Sequence, residues 1–405
     1  MKENCTVLII GPALLAVSLF FAGCENLDDG PDKRFPDTFV TLPLDNVASL
    51  LAHLKLDADQ LLEVHDAVSS SSKNGYDEEY MMKNLFSVPG SGVGDDKLQS
   101  KAVKEYRQPL RHLIEEYLYS LPTKAVSETV PDNLTVSQYL SLLESSDIQI
   151  YWPYSEKWDM ESYPIITFDP ADGSTVNEGY ELSRNQSGHL EVNRVIVDEN
   201  VAMSRPVWVV NRNNDSLYDS IELLRQNDAS WGSGGSIEVL PASKSGKLQT
   251  LVLKDFTMKK HGDTWFGGAS EFFVKMGSVD SFYASTEAEL KLYSPQITDF
   301  MVVVRRKELG VPKPLNVVLV SDWTEQLTHS AFMVVEDDGG RQTSWKCAAT
   351  VKWSSKSYGF EISIPLNVRD DIIWRGQLAR DYIVKYSGVP SHFGDVDVTF
   401  DIVGR

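Results

Sequence analysis

Cysteine is scarce, three in 405 residues, so no disulfide framework holds this chain together. Basic charge is also short. Against 58 acidic side chains stand 38 basic ones, a formal net charge of −20, so phosphate is repelled over most of the surface and nucleic acid is excluded as a partner. Apolar runs long enough for a membrane helix, roughly 20 residues, are missing as well. No repeat recurs at a fixed period, which removes solenoids and propellers. What remains is ordinary: 42% apolar and 24% charged residues, the balance of folded protein rather than of a disordered or polytopic membrane chain.

The first thirty residues are the most informative. Lys2 precedes an apolar stretch from Val7 to Ala22, broken only by Gly11-Pro12 and Ser18, and ending in small residues. That pattern predicts a signal peptide over residues 1–23. Its end, Ala22-Gly23-Cys24, resembles the lipobox of bacterial lipoproteins, with Phe21 where leucine is usual. The resemblance implies cleavage before Cys24, acylation of its sulfur with palmitate-type chains, and attachment to a membrane through that lipid, since two or more chains anchor stably where one does not. The acidic run Glu25-Asn26-Leu27-Asp28-Asp29-Gly30-Pro31-Asp32 is similar to the export signal of surface-exposed lipoproteins of the Bacteroidetes, and reads equally as a solvated tether over 24–44. The address implied is the outer membrane, lipid-anchored and facing outward.

Organisation changes along the chain. Over 45–146 the apolar period is helical. Asp45 is placed to cap a first helix, Asp57 with Gln60 and Thr135 with Gln138 form capping boxes, and Leu110, Leu113, Ile114, Tyr117 and Leu118 share one helical face. Ser69 to Gly75 and Pro89 to Asp96 read as loops. Near Asp147 the period switches to that of strands, starting with Ile148, Ile150 and Trp152, and short apolar runs recur from there, Ile237 to Leu240 and Ala288 to Tyr293 among them. The expectation is a multidomain α+β chain: a helical domain at 45–146, a β-rich domain at 147–293 and a C-terminal β-sandwich at 294–405, the β part antiparallel throughout. Asp337-Asp338-Gly339-Gly340 reads as a tight hairpin turn. Cys347 alternates with Trp345, Ala349, Val351 and Trp353, the position of a core thiol.

Motifs of catalysis are missing. The seven histidines make no zinc-protease helix, no Gly-x-Ser-x-Gly elbow occurs, and the glycine-rich stretches lack the spacing of nucleotide loops. No catalytic residue and no cofactor is therefore expected. Asp169, Asp172 and Glu178 around Gly173 are weak calcium candidates, because hard cations take loop carboxylates, but they follow no calcium-loop signature. Aromatics, by contrast, are concentrated: Tyr151-Trp152-Pro153-Tyr154, then Trp158 and Tyr163. Trp152 is in phase with Ile148 and Ile150 and belongs to the core. Tyr151, Tyr154 and Trp158 are the candidates for a ligand-binding surface, where rigid rings would stack on sugar. The reading that covers these features is a lipid-anchored, non-catalytic binding module for a glycan or an envelope protein. Two alternatives stay open, a structural or assembly subunit of a surface apparatus and a lipid-anchored hydrolase whose site follows no motif.

Overall fold

The structure is a computed structural model and describes residues 42–86, 106–122, 130–131, 134–185, 190–213, 219–233 and 249–404. The expectations for the signal peptide, Cys24, the tether up to residue 41, the loop at Pro89 to Asp96 and a strand at Ile237 to Leu240 lie outside these residues. Residues from Leu42 onward form one compact unit of mixed α+β architecture with several largely antiparallel sheets. Among the described residues no helix is long and apolar enough to cross a membrane.

Helices α1 (Leu44–Ala52), α2 (Ala58–Lys73), α3 (Met82–Leu85), α4 (Leu110–Ser120) and α5 (Val136–Glu144) build the N-terminal part. Both capping boxes form: Asp57 and Thr135 each satisfy free amide groups of the first turn, and Gln60 and Gln138 reach back to them. Asp45 does not cap; Pro43 occupies that position and Asp45 lies in the first turn, beside the positive end of the helix. Ser69 to Ser72 are helical rather than a loop, because α2 runs on to Lys73 with Val68 and Ser71 turned inward. Burial of one face outweighs the modest helix propensity of serine.

The first sheet has the order β1-β2-β6-β3-β4-β5, from Glu79–Met81, Ile148–Tyr151, Val207–Arg212, Ile165–Phe168, Asn177–Arg184 and Leu190–Val197. Its strand β1 comes from within the helical region and pairs Tyr80 with Ile150. The β3 and β6 pair is parallel, a departure from the all-antiparallel expectation, made possible by the intervening crossover that includes α6 (Glu199–Ser204). Period-two alternation gives this sheet two buried faces. Ile148, Ile150, Trp152, Ile166, Trp208 and Val210 share one apolar cluster with the helices, while Tyr151, Ile165, Val207 and Val209 share another with Ala202, Trp265 and Phe266. Contacts therefore cross the expected boundary at Asp147.

The later strands are β7 (Gln249–Met258), β8 (Ser270–Ser278), β9 (Gln296–Val304), β10 (Lys313–Val320), β11 (Leu327–Glu336), β12 (Gln342–Trp353), β13 (Lys356–Asn367), β14 (Asp371–Ala379), β15 (Pro390–Phe393) and β16 (Val396–Gly404), with helices α7 (Ile221–Asn227) and α8 (Arg380–Lys385). They form two sheets, β10-β7-β16-β15 and β13-β12-β11-β8-β9, with β14 paired to β11. Rings join them: Phe332 on β11 lies 5.3 Å from Phe400 on β16, and Trp374 on β14 lies 4.9 Å from Phe393 on β15. Strand β9 follows the expected boundary at 293/294, yet pairs along its length with β8, which precedes it. Residues Glu289–Leu292 are a short 3-10 turn instead of a strand, since only Leu290 of that segment faces the core. The Asp337 to Gly340 turn links β11 to β12, antiparallel neighbours that pair only at their far ends, Leu327↔Val351 and His329↔Thr350, so the hairpin is splayed rather than tight. Through Val334 to Glu336 both edges of β11 are taken, by β8 and by β14, so β12 leaves and pairs with β13 from Gln342↔Asn367 to Trp353↔Lys356.

Candidate functional site

Between the end of β2 and the end of α6 lies a cleft of ≈ 450 Å3, within the range of small-ligand pockets. One wall is the segment that leaves β2. Tyr154 has φ 59 and Met160 has φ 67, left-handed conformations that cost energy for residues with a Cβ, so the segment between them is held in shape by its surroundings. The holding groups can be named. Glu78, buried at 4% exposure, accepts from the Tyr154 amide at 3.3 Å and from the Ser155 hydroxyl at 3.3 Å, and pairs with Lys307 at 3.0 Å; Lys307 also reaches Glu156 at 2.9 Å. The Tyr154 hydroxyl donates to Glu199 at 3.1 Å, and Glu199 pairs with Arg306 at 3.2 Å. Burial, reinforced by the neighbouring Asp77 carboxylate, pushes the Glu78 carboxyl up to about 7.

The floor is aromatic. Trp158 packs on Trp152 with centroids 5.2 Å apart and on His65 at 5.2 Å, and its indole nitrogen donates to the Ser162 carbonyl at 2.9 Å. Burial holds the His65 imidazole below its ordinary range. Tyr163 is half-buried, lines the cleft and is covered on one side by the Arg184 guanidinium, 5.3 Å from the ring. The opposite wall is Met203 to Pro206, at the end of α6. Of the lining side chains only Asp159 is a carboxylate. It accepts from the Glu161 amide at 2.9 Å, the Ser162 amide at 2.7 Å and the Ser162 hydroxyl at 2.5 Å, and these bonds hold its carboxyl down at about 2.

The structure places the sequence-derived ligand residues differently from expectation. Tyr151 is 1% exposed, Tyr154 7% and Trp158 8%, so none is a free surface ring. The reason is non-local: the sheet face that carries Tyr151 is covered by Trp265 and Phe266, far along the chain, and Trp158 belongs to the helix-side core. Tyr154 and Trp158 nevertheless line the cleft, whereas Tyr151 does not. More open groups there are Tyr163, Lys157, Met203 and Arg205, none of which is among the ligand candidates the sequence suggests. Tyr163 falls within the aromatic run; Met203 and Arg205 carry no local signal, being brought in by the α6 crossover.

Asp169, Asp172 and Glu178 do not converge. Asp172 accepts from the Ser174 amide at 3.0 Å, Glu178 pairs with Arg194 at 3.1 Å, and Asp169 is pushed up to about 6 by burial and by Asp263. Among the described residues no group of three or more His, Cys, Asp or Glu is arranged to hold a metal ion. A second concentration of acid surrounds the turn after β11. There the buried Glu336 is pushed up to about 7 and Asp338 to about 6, first by burial and then by Asp263 and Asp371. Cys347 lies on β12, half-buried, with its thiol pushed up to about 12 by burial, which makes it a packing group and a poor nucleophile.

No family model, no curated protein and no solved structure matches this chain.

Proposed function

We propose that this chain is a lipid-anchored outer-membrane lipoprotein, facing outward, that binds a saccharide in the cleft between Tyr163 and Met203 without catalysing its conversion. In this reading the N-terminal helices and first sheet carry the site, and the later strands form a β-sandwich that supports it. The observation that carries the proposal is the cleft itself, a concavity of sugar-sized volume with Trp158 and Tyr163 in its lining and a backbone fixed by buried ion pairs. Rigid aromatic walls bind sugar faces at low entropic cost. Glycoside hydrolysis needs two carboxyl groups with separated roles, and the lining offers one, Asp159, whose oxygens are occupied. That favours binding over the hydrolase alternative.

A glycan array probed with the purified chain tests the proposal. Wild type should score hits that Tyr163→Ala reduces severalfold, with a fall in melting temperature far smaller than that of Trp158→Ala; an array without hits refutes it. Anchoring is tested separately, by labelling cells with an alkyne fatty acid: wild type should carry the label and Cys24→Ala should not. The envelope-protein alternative has its own support in exposed apolar residues on and just after α8, where Tyr382 and Tyr386 meet at a tilt, 4.8 Å apart, and Val384 and Val389 are exposed.

A further inference from the structure

The charge of the cleft runs against that of the molecule. Two of its lining side chains are cations, Lys157 and Arg205, on a chain whose formal net charge is −20. The Lys157 ammonium lies 3.4 Å from the Met203 carbonyl, two residues before Arg205, and 4.5 Å from the centre of the Tyr154 ring. Among the described residues no carboxylate pairs with Lys157. Arg205 gives one terminal nitrogen to Glu181 at 2.5 Å, leaving its Nε and other terminal nitrogen without a hydrogen bond among the described residues. The remaining charge in the lining, Asp159, is exposed and ionised, and accepts three hydrogen bonds from its own turn, so the lining sets two positive charges against one negative.

Ammonium and guanidinium groups have donors and no acceptors, so the partner they complete is rich in acceptor oxygens and negatively charged. A phosphate-rich polymer is opposed by the field of the whole molecule, which acts over a long charged stretch, whereas a single carboxylate seated between two cations is governed by the local charges, because salt screens beyond about 8 Å. The half-buried ring of Tyr163 lines the same cleft and suits the apolar face of a pyranose. We infer that the cleft selects an acidic saccharide, a sugar whose carboxylate lies against Lys157 and Arg205 while its ring packs on the aromatic wall. This rests on the saccharide reading above and narrows it to a class.

The test is calorimetric titration of the full chain with two matched sets: oligogalacturonides, alginate oligomers, chondroitin disaccharides and sialyllactose, and the same compounds with each carboxylate reduced to the alcohol. At least one acidic compound should bind, reduction of its carboxylate should weaken it about tenfold or more, and Lys157→Ala and Arg205→Ala should each do the same, the size expected for loss of a charge-assisted hydrogen bond. Arg205→Lys, which keeps the charge, should lose less. Both side chains are exposed, so melting temperatures should stay at the wild-type value and binding losses report on the ligand. Equal binding of acidic and reduced compounds, indifferent to both alanine variants, overturns the acidic class and leaves saccharide binding standing. Binding of neither set overturns both.

Discussion

Trp158 and Tyr163 separate what a ring does for stability from what it does for a ligand. Trp158 touches Trp152 and His65 and is 8% exposed, so Trp158→Ala removes core contacts, and urea denaturation should show a loss of roughly 3 to 5 kcal/mol. A loss under 1 kcal/mol would mean that the ring is not in the core. Tyr163, half-buried with Arg184 on one side, should cost far less when truncated. The alternation Ile148, Ile150, Trp152 was legible because it is local; it correctly places Trp152 inside. The opposite face was not legible, because what covers Tyr151 is Trp265-Phe266, and no pattern within a strand reports a partner that far away.

At the scale of elements, the capping boxes of α2 and α5 were readable from four-residue spacings, and most later strands from their alternation. Which strand pairs with which was not, as β11 shows: Asp337 to Gly340 has the composition of a tight hairpin turn, but with β8 and β14 on both edges of β11 beside it, β12 meets β11 only at the far end, Leu327↔Val351 and His329↔Thr350. That crowding has an electrostatic consequence. Glu336 has its carboxyl raised from 4.5 to about 7 by burial and by Asp263, Asp338 and Asp371. A carboxyl raised in the folded state holds more protons there than in the unfolded chain between the two values, so stability falls as pH rises through that window. Melting temperature should accordingly be higher near pH 5.5 than near pH 8, with Glu336 contributing about 3 kcal/mol at the upper limit of its shift. Glu336→Gln, which keeps the shape and removes the titration, should flatten this dependence. An unchanged pH profile in the variant would assign the effect to Glu78, Asp169 and Asp338 instead.

For the whole molecule, the question is whether the helices stand alone. Their apolar cluster includes Ile148, Ile150, Ile166, Trp208 and Val210 from the first sheet, and β1 has its pairing partner in β2. A fragment ending at residue 146 therefore loses the surface on which it folds, although the sequence alone, read by period, suggests a separable unit. Circular dichroism of residues 42–146 should show weak helix without a cooperative melt, and mixing with 147–405 should restore signal. A cooperative melt of the fragment by itself would reinstate the boundary at Asp147.

The place of β16 sets a timetable for folding. It lies between β7 and β15, pairing Val396 with Met258 and Thr399 with Asp255 on one side and Phe393 on the other, and Phe400 adds a ring to the contact with Phe332. Synthesis delivers the chain from the N-terminus, so β7 emerges long before the strand that covers its edge, and Leu251, Leu253 and Phe256 wait with it. During that interval the open edge is a template for pairing with another chain. Slow translation should lead to aggregation through β7, and pulse-labelled chains truncated before Val396 should be protease-sensitive from Gln249 onward while the first sheet stays protected.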